Sequence, residues 1–231
     1  MSRSRSTGEN GLRADLPFPI LSLFSPCRQV LTFTSIRYGV GTLAVFLFFD
    51  RAVICRSLHK EDRMRLDDLM PIQGWEALER ELHERSGLNA CTYDPEGSRI
   101  TAFSAWANDI CPQVKASPQG VAAICAVANQ FFTNQARETG QRVIGECDGG
   151  LAKFALPIVH QGQFLGTIGG CGHRFPDGEV ETFLIHESTG LKMEDLEQLC
   201  TGVRTITRQD VEDLAGWLQL RLDEVLLRGS A

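Results

Sequence analysis

Apolar residues recur at helical spacing in GWEALERELHERSG, where Trp75, Leu78 and Leu82 share one face and Gly87 supplies a stop. The pattern then shortens. LNACTYDPEGSRITAF reads as two strands joined by Asp94-Pro95-Glu96-Gly97, in which proline fixes φ and glycine accepts a positive one. Ser117 and Pro118 form an N-cap and first-turn pair that opens a helix running to Thr139. Val121, Ile124, Cys125, Ala128 and Phe132 fall along its apolar stripe, and Gly140 ends it. Three strand-like runs follow: RVIGEC, LAKFALPIV and QFLGTIGG. His160-Gln161-Gly162 links the last two as a tight turn, which puts His160 at a solvated hairpin. After a loop through Pro176-Asp177-Gly178, a short helix is expected near Lys192–Cys200. A long helix closes the chain. Val211, Leu214, Ala215, Leu218, Leu222, Val225 and Leu226 repeat along it, and Asp210 and Glu212 favour its positive end.

This order predicts an α+β fold: an antiparallel five-stranded sheet of PAS-like kind, helices packed on one face, and a long C-terminal amphipathic helix. Such layers leave a cavity between sheet and helix, the default place for a small ligand.

The chain has 231 residues, 43% of them apolar and 23% charged, which is ordinary for a globular protein. Residues 1–63 depart from the pattern. Their apolar run from Gly39 to Phe49 stops at Asp50 and Arg51, short of the roughly 20 residues a membrane span needs. No cleavage site of secretory type follows it. The segment reads either as a membrane-associating or disordered extension or as sequence upstream of the true start, with Met64 just before the first patterned segment. The domain is therefore expected over 64–231. Residues 1–63 hold nine basic and five acidic residues, and the remainder 14 and 24, so the body carries 14 − 24 = −10. That balance repels phosphate backbones and argues against nucleic acid as a direct partner, and the short apolar run argues against a membrane.

Eight cysteines without a CxxC pair exclude a zinc ribbon or a thioredoxin motif, and their dilution suits reduced thiols in a cytoplasm. Cys111 follows FSAWANDI, Cys125 lies two turns into the long helix, and Cys147 stands where Asp148-Gly149-Gly150 reverses the chain. A loop, the helix after it and the next strand are commonly neighbours, so these three thiols could meet at one end of the sheet. The glycines match no phosphate-binding loop, and serve turns and close approaches instead. Trp106, Phe132 and Phe154 are the expected pocket residues, with Trp106 beside the cysteine loop. Phe131 and Phe164 read as core, and Cys91 and Cys200 as small buried hydrophobes. Cys27 and Cys55 are given no role.

DICPQVKASPQGVAAIC and ECDGGLAKFALPIVHQGQFLGTIGG resemble the PocR sensory domain, in a likeness that spans about residues 66–228. The resemblance implies a ligand-sensing module, usually attached to a DNA-binding or kinase output, with small diols or hydrocarbon derivatives as signals. No helix-turn-helix, kinase or diguanylate cyclase segment is found here, so the output is expected to be missing or to come from a separate signalling or regulatory protein. The resemblance also favours a shared site at Cys111, Cys125 and Cys147, holding a metal or sensing redox state. Zinc would want a fourth ligand, with Cys171 or His173 at hand, whereas iron with an open position would suit sensing. A redox pair needs only Cα atoms within about 7 Å. The expected protein is a free-standing, non-catalytic, cytoplasmic sensory domain acting in signal transduction or transcription regulation. Its last helix would dock on the sheet or pair two protomers as a homodimer. The rival is a metal- or thiol-dependent enzyme using the same cysteines, with Cys147 and His173 as a thiol-imidazole pair. His186-Glu187 makes no catalytic pair.

Overall fold

The structure, a computed structural model, describes residues 64–228, and the extension expected over 1–63 lies outside them. Two helices open the described part, α1 (Leu66–Leu69) and α2 (Ile72–Ser86). The face of α2 predicted from its spacing is the buried one, and Gly87 caps it in the left-handed region at φ 70°. Strand β1 (Asn89–Tyr93) follows, then a long loop, α3 (Ile110–Ala116) and the expected long helix. That helix comes in three pieces: α4 (Pro118–Gly120), a π-helical stretch (Val121–Ala126) and α5 (Val127–Thr139). Ser117 caps it, accepting from the Gly120 amide at 3.1 Å while its hydroxyl donates to the Ser188 carbonyl at 2.8 Å.

Strands β2 (Val143–Glu146), β3 (Ala152–His160) and β4 (Gln163–Cys171) complete one antiparallel sheet in the order β1-β4-β3-β2. Three helices end the described chain: α6 (Thr182–Thr189), α7 (Met193–Thr201) and α8 (Arg208–Arg228). Of these, α6 is not among the elements that the sequence pattern predicts.

The sheet has four strands among the described residues, where five were expected. The run after the Asp94–Gly97 turn makes a single bridge, Arg99 with Tyr93. Side chains take the place of a ladder there. Arg99 Nη2 donates to the carbonyls of Ala90 and Phe103, and the Glu76 carboxylate accepts from the Ala102 amide at 2.9 Å. Arg99 and Thr101 also serve Glu79, a carboxylate on α2 with 0% exposure. Arg99 Nη2 lies 3.2 Å from Glu79 Oε2, and Thr101 Oγ1 lies 2.7 and 2.9 Å from its two oxygens. A buried carboxylate needs such partners, and that need outranks strand pairing in this stretch.

Helices cover both faces of the sheet, not one. Side chains alternate across a strand, and β3 is apolar or buried at both parities. Ala152, Phe154, Leu156 and Ile158 pack with Trp75 and Leu82 of α2 and with Val211, Ala215, Leu218 and Leu222 of α8. Ala155, on the other face, packs with Phe132 and Ala136 of α5. A further cluster joins α3, the π-helical stretch, α6 and α7 through Ile110, Val114, Ile124, Ile185 and Leu196. His160, expected at a solvated turn, is 5% exposed and its Nε2 has no hydrogen-bond partner. The turn itself falls at Gln161 and Gly162, both at positive φ, one residue beyond it.

Candidate functional site

Strand register builds the floor of a cavity. Asn89, Cys171 and Lys153 stand opposite one another across β1, β4 and β3. One step along, Cys91 stands opposite Gly169, which has no side chain to fill the space above the strand. Cys111 and Val114 of α3, Ile124 and Cys125 of the π-helical stretch, and Ala128 and Asn129 of α5 face this floor as the roof. Widening of the helix over Val121–Ala126 coincides with the two residues it sends to the cavity. Such π-helical stretches recur at functional sites.

Cys147, Gly149 and Leu151 form one end wall. The bend that carries them is closed by the Cys147 amide donating to the Leu151 carbonyl at 2.8 Å and the Gly150 amide to the Cys147 carbonyl at 2.9 Å. Gly150 takes φ 74°, and a Cβ there would lie 1.9 Å from the Glu179 carbonyl oxygen, so only glycine fits. The bend is thereby locked, and it holds Cys147 against the cavity. Trp106, 42% exposed, stands at the mouth beside Ser104 and Ala105. Asn108 fixes the approach to α3: its Oδ1 accepts from the Ile110 and Cys111 amides at 2.9 and 2.8 Å, and its Nδ2 donates to the Gly172 carbonyl. Asn89 does the same for the loop before it, accepting from the Ala107 amide at 2.6 Å.

Cys111, Cys125 and Cys147 thus line one cavity, and Cys91 and Cys171 join them, making five thiols on its wall. All are free. Cys171 lies within electrostatic reach of Cys91, Cys111 and Cys125, and Cys147 within reach of Cys111 and Cys125. Burial pushes the thiols of Cys91, Cys111, Cys125 and Cys147 upward, Cys111 far above the ordinary cysteine range, so each is protonated at neutral pH. Among the described residues, no group of three or more His, Cys, Asp or Glu side chains is arranged to hold a metal ion.

The other expected site residues fall differently. Phe132 is buried beside the inner end of the cavity, its ring centroid 5.4 Å from Lys153 Nζ. The Phe154 side chain belongs to the cluster under α2 and α8, on the opposite face of the sheet, so it forms no part of the roofed cavity. His173 lines a separate cleft with Arg85, Arg204 and Trp217, away from Cys147. Burial and the nearby Arg204 and His83 hold its imidazole below the usual value, and its Nε2 has no partner. The thiol-imidazole pair imagined from the sequence is therefore not formed. Asn89, Arg99, Asn129 and Lys153 also line the cavity without having been singled out; Cys171, expected only as a fourth ligand, and Cys91, expected as a small buried hydrophobe, both line it too.

A family model described as the sensory domain found in PocR matches residues 68–228. The chain belongs to the PocR sensory-domain family. The match runs from within α1 to the end of α8, so it contains every element that builds the cavity. No curated protein and no solved structure matches the chain. Among the described residues of this PocR-type domain, no helix is long and apolar enough to cross a membrane.

Proposed function

We propose that this PocR-type domain is a non-catalytic, cytoplasmic sensor that binds a small hydrocarbon derivative in the cysteine-lined cavity between its sheet and the helical roof. The observation that carries the reading is the cavity itself: side chains from the sheet, the helical roof and the Cys147 bend converge on one space that the protein leaves unfilled. Close packing is the rule in protein interiors, so a gap walled by apolar residues with a few placed polar groups is the usual form of a ligand site. A diol is one candidate of that class. Among the described residues the sheet has four strands, and the segment carrying Arg99 lies at the β1 edge where a fifth, PAS-like strand would stand. Output passes to a separate signalling or regulatory protein, by a shift between two packings of α8 or a pairing of two protomers.

The five converging sulfurs support a second proposal, that the cavity registers a soft ion such as zinc or iron, or an oxidant. That reading requires the side chains to swing toward one centre, because in the arrangement described no three of them share an ion. The high thiol pKa values also work against oxidation, since the thiolate is the reactive form.

A panel of small alcohols, diols and acids is screened by thermal shift on the full chain. A compound that raises the melting temperature should also slow alkylation of Cys111, Cys125 and Cys147, leaving Cys200, outside the cavity, unchanged. Without ligand, alkylation of the three should be slow at pH 7 and faster at pH 9, as raised thiols begin to ionise. Stabilisation that leaves all cysteines equally reactive would place the ligand elsewhere and overturn the proposal.

A further inference from the structure

Lys153 interrupts the apolar strand β3 and is 7% exposed. Its ammonium donates to Asn129 Oδ1 at 3.0 Å and lies 5.6 and 5.4 Å from the ring centroids of Tyr93 and Phe132. Among the described residues, no carboxylate lies within ion-pairing distance of it. An ammonium has three donors and a full charge, and withdrawing it from water without an anion is costly. Aromatic faces return only part of that cost.

The rest of the wall does not supply the anion. Arg99, Lys115 and Lys153 line the cavity, and no Asp or Glu does. Arg99 is matched by Glu79, and Lys115 is exposed to water. Lys153 lines this cavity and a much smaller hollow beside Phe132, and of the two only the cavity has room for a ligand. The cavity offers about 60 Å³ to the centre of a water molecule. A space that leaves the centre of a water so much freedom holds a small organic molecule rather than a single water.

We infer that Lys153 is the anion-recognising residue of this cavity, and that the ligand is a short-chain carboxylate. Its carboxylate sits on Lys153 Nζ at the sheet, and its apolar body lies against Ile110, Ile124 and Ala128. A single small carboxylate matches the charge, and a short aliphatic chain suits the apolar roof of Ile110, Ile124 and Ala128. The inference rests on the cavity being the ligand site, and it names the chemical class that site selects.

Isothermal titration of the full chain with butyrate, butyramide, 1,3-propanediol and inorganic phosphate tests it. Butyrate should bind at least about tenfold more tightly than butyramide, the ratio expected for a charge-assisted hydrogen bond. Lys153→Met should lose at least about tenfold in butyrate affinity while butyramide changes by less than about twofold. Its melting temperature should stay level or rise, because an unmatched buried charge has been removed. Tight binding of the amide or the diol by the wild type, with no preference for butyrate, would overturn the inference and leave the cavity reading standing. Phosphate binding without butyrate would overturn it as well, by showing a site for a multiply charged oxyanion. Silence from all four overturns the inference, while the alkylation-protection assay judges the cavity separately. The comparison among ligands on the wild-type protein needs no variant to fold.

Discussion

Arg99→Ala is expected to destabilise the domain by about 3–5 kcal/mol at neutral pH, the usual cost of removing one partner from a buried ion pair. Glu79 is wholly buried, and Arg99 is its charged partner, with Thr101 supplying the neutral one. The same guanidinium ties the carbonyls of Ala90 and Phe103, so its loss also frees the segment that stands in place of a fifth strand. The pH dependence follows from the carboxyl. Burial raises Glu79 above the ordinary glutamate value, although Thr101, Thr92 and Arg99 pull it back. A raised folded-state pKa means that this group's contribution is fully present below the unfolded value, near 4.5, and is lost as pH rises through the folded one. Removing Arg99 raises the folded value further. The deficit of Arg99→Ala should therefore be larger at pH 7 than at pH 5, and adding Glu79→Gln should recover part of it at pH 7. Urea titrations at the two pH values measure both. An equal deficit at pH 5 and pH 7 would show that the ion pair is not what Arg99 supplies.

Trp75→Ala should cost about 3–5 kcal/mol, the range for removing a large aromatic from a packed core. Trp75 is completely buried at the centre of the cluster that joins α2, β3 and α8, and its indole N–H donates to the Leu66 carbonyl at 3.0 Å. Trp75→Phe keeps most of the volume and leaves that carbonyl without its donor, so it should cost nearer 1–2 kcal/mol, by roughly the worth of one buried hydrogen bond and a small cavity. Chemical denaturation followed by circular dichroism separates the two. A loss below about 1 kcal/mol for the alanine variant would mean that α2 contributes little to the core.

Trp75, Leu78 and Leu82 show why parts of this fold are legible in the sequence. Their spacing matches one turn of helix, and a helix with one apolar stripe has one way to face a core. The β3–β4 hairpin and α8 are legible for the same kind of reason, because local periodicity and turn residues decide them. Other features depend on partners far along the chain. The segment after Gly97 carries strand-like residues, but Arg99 and Thr101 are drawn to Glu79, 20 and 22 residues away. Covering of both sheet faces depends on which distant helices pack on each, and even the edge strand β1 is buried at both parities. The π-helical stretch at Val121–Ala126 has the composition of an ordinary helix.

The same division holds for the cavity. Cys111, Cys125 and Cys147 could be grouped because they lie in consecutive elements. Cys91 and Cys171 come from the sheet, and only the register Asn89–Cys171–Lys153 brings that floor under the roof. Lys153 did leave a signal: a lysine inside LAKFALPIV is a charge in a strand otherwise free of charged residues, and such a residue is either at an edge or at a site. Phe154 stands one residue away and points to the other face, so a period of two separates a cavity residue from a core residue.

Native mass spectrometry of the full chain purified from its own host tests most directly whether the thiol-lined hollow is where a small molecule resides. The wild-type protein should carry a bound organic mass, and Cys125→Phe, which fills the space from the helical side while keeping the wild-type circular dichroism spectrum, should carry none. A wild-type protein that sprays as the bare chain, or a bound mass that persists in folded Cys125→Phe, would contradict the account.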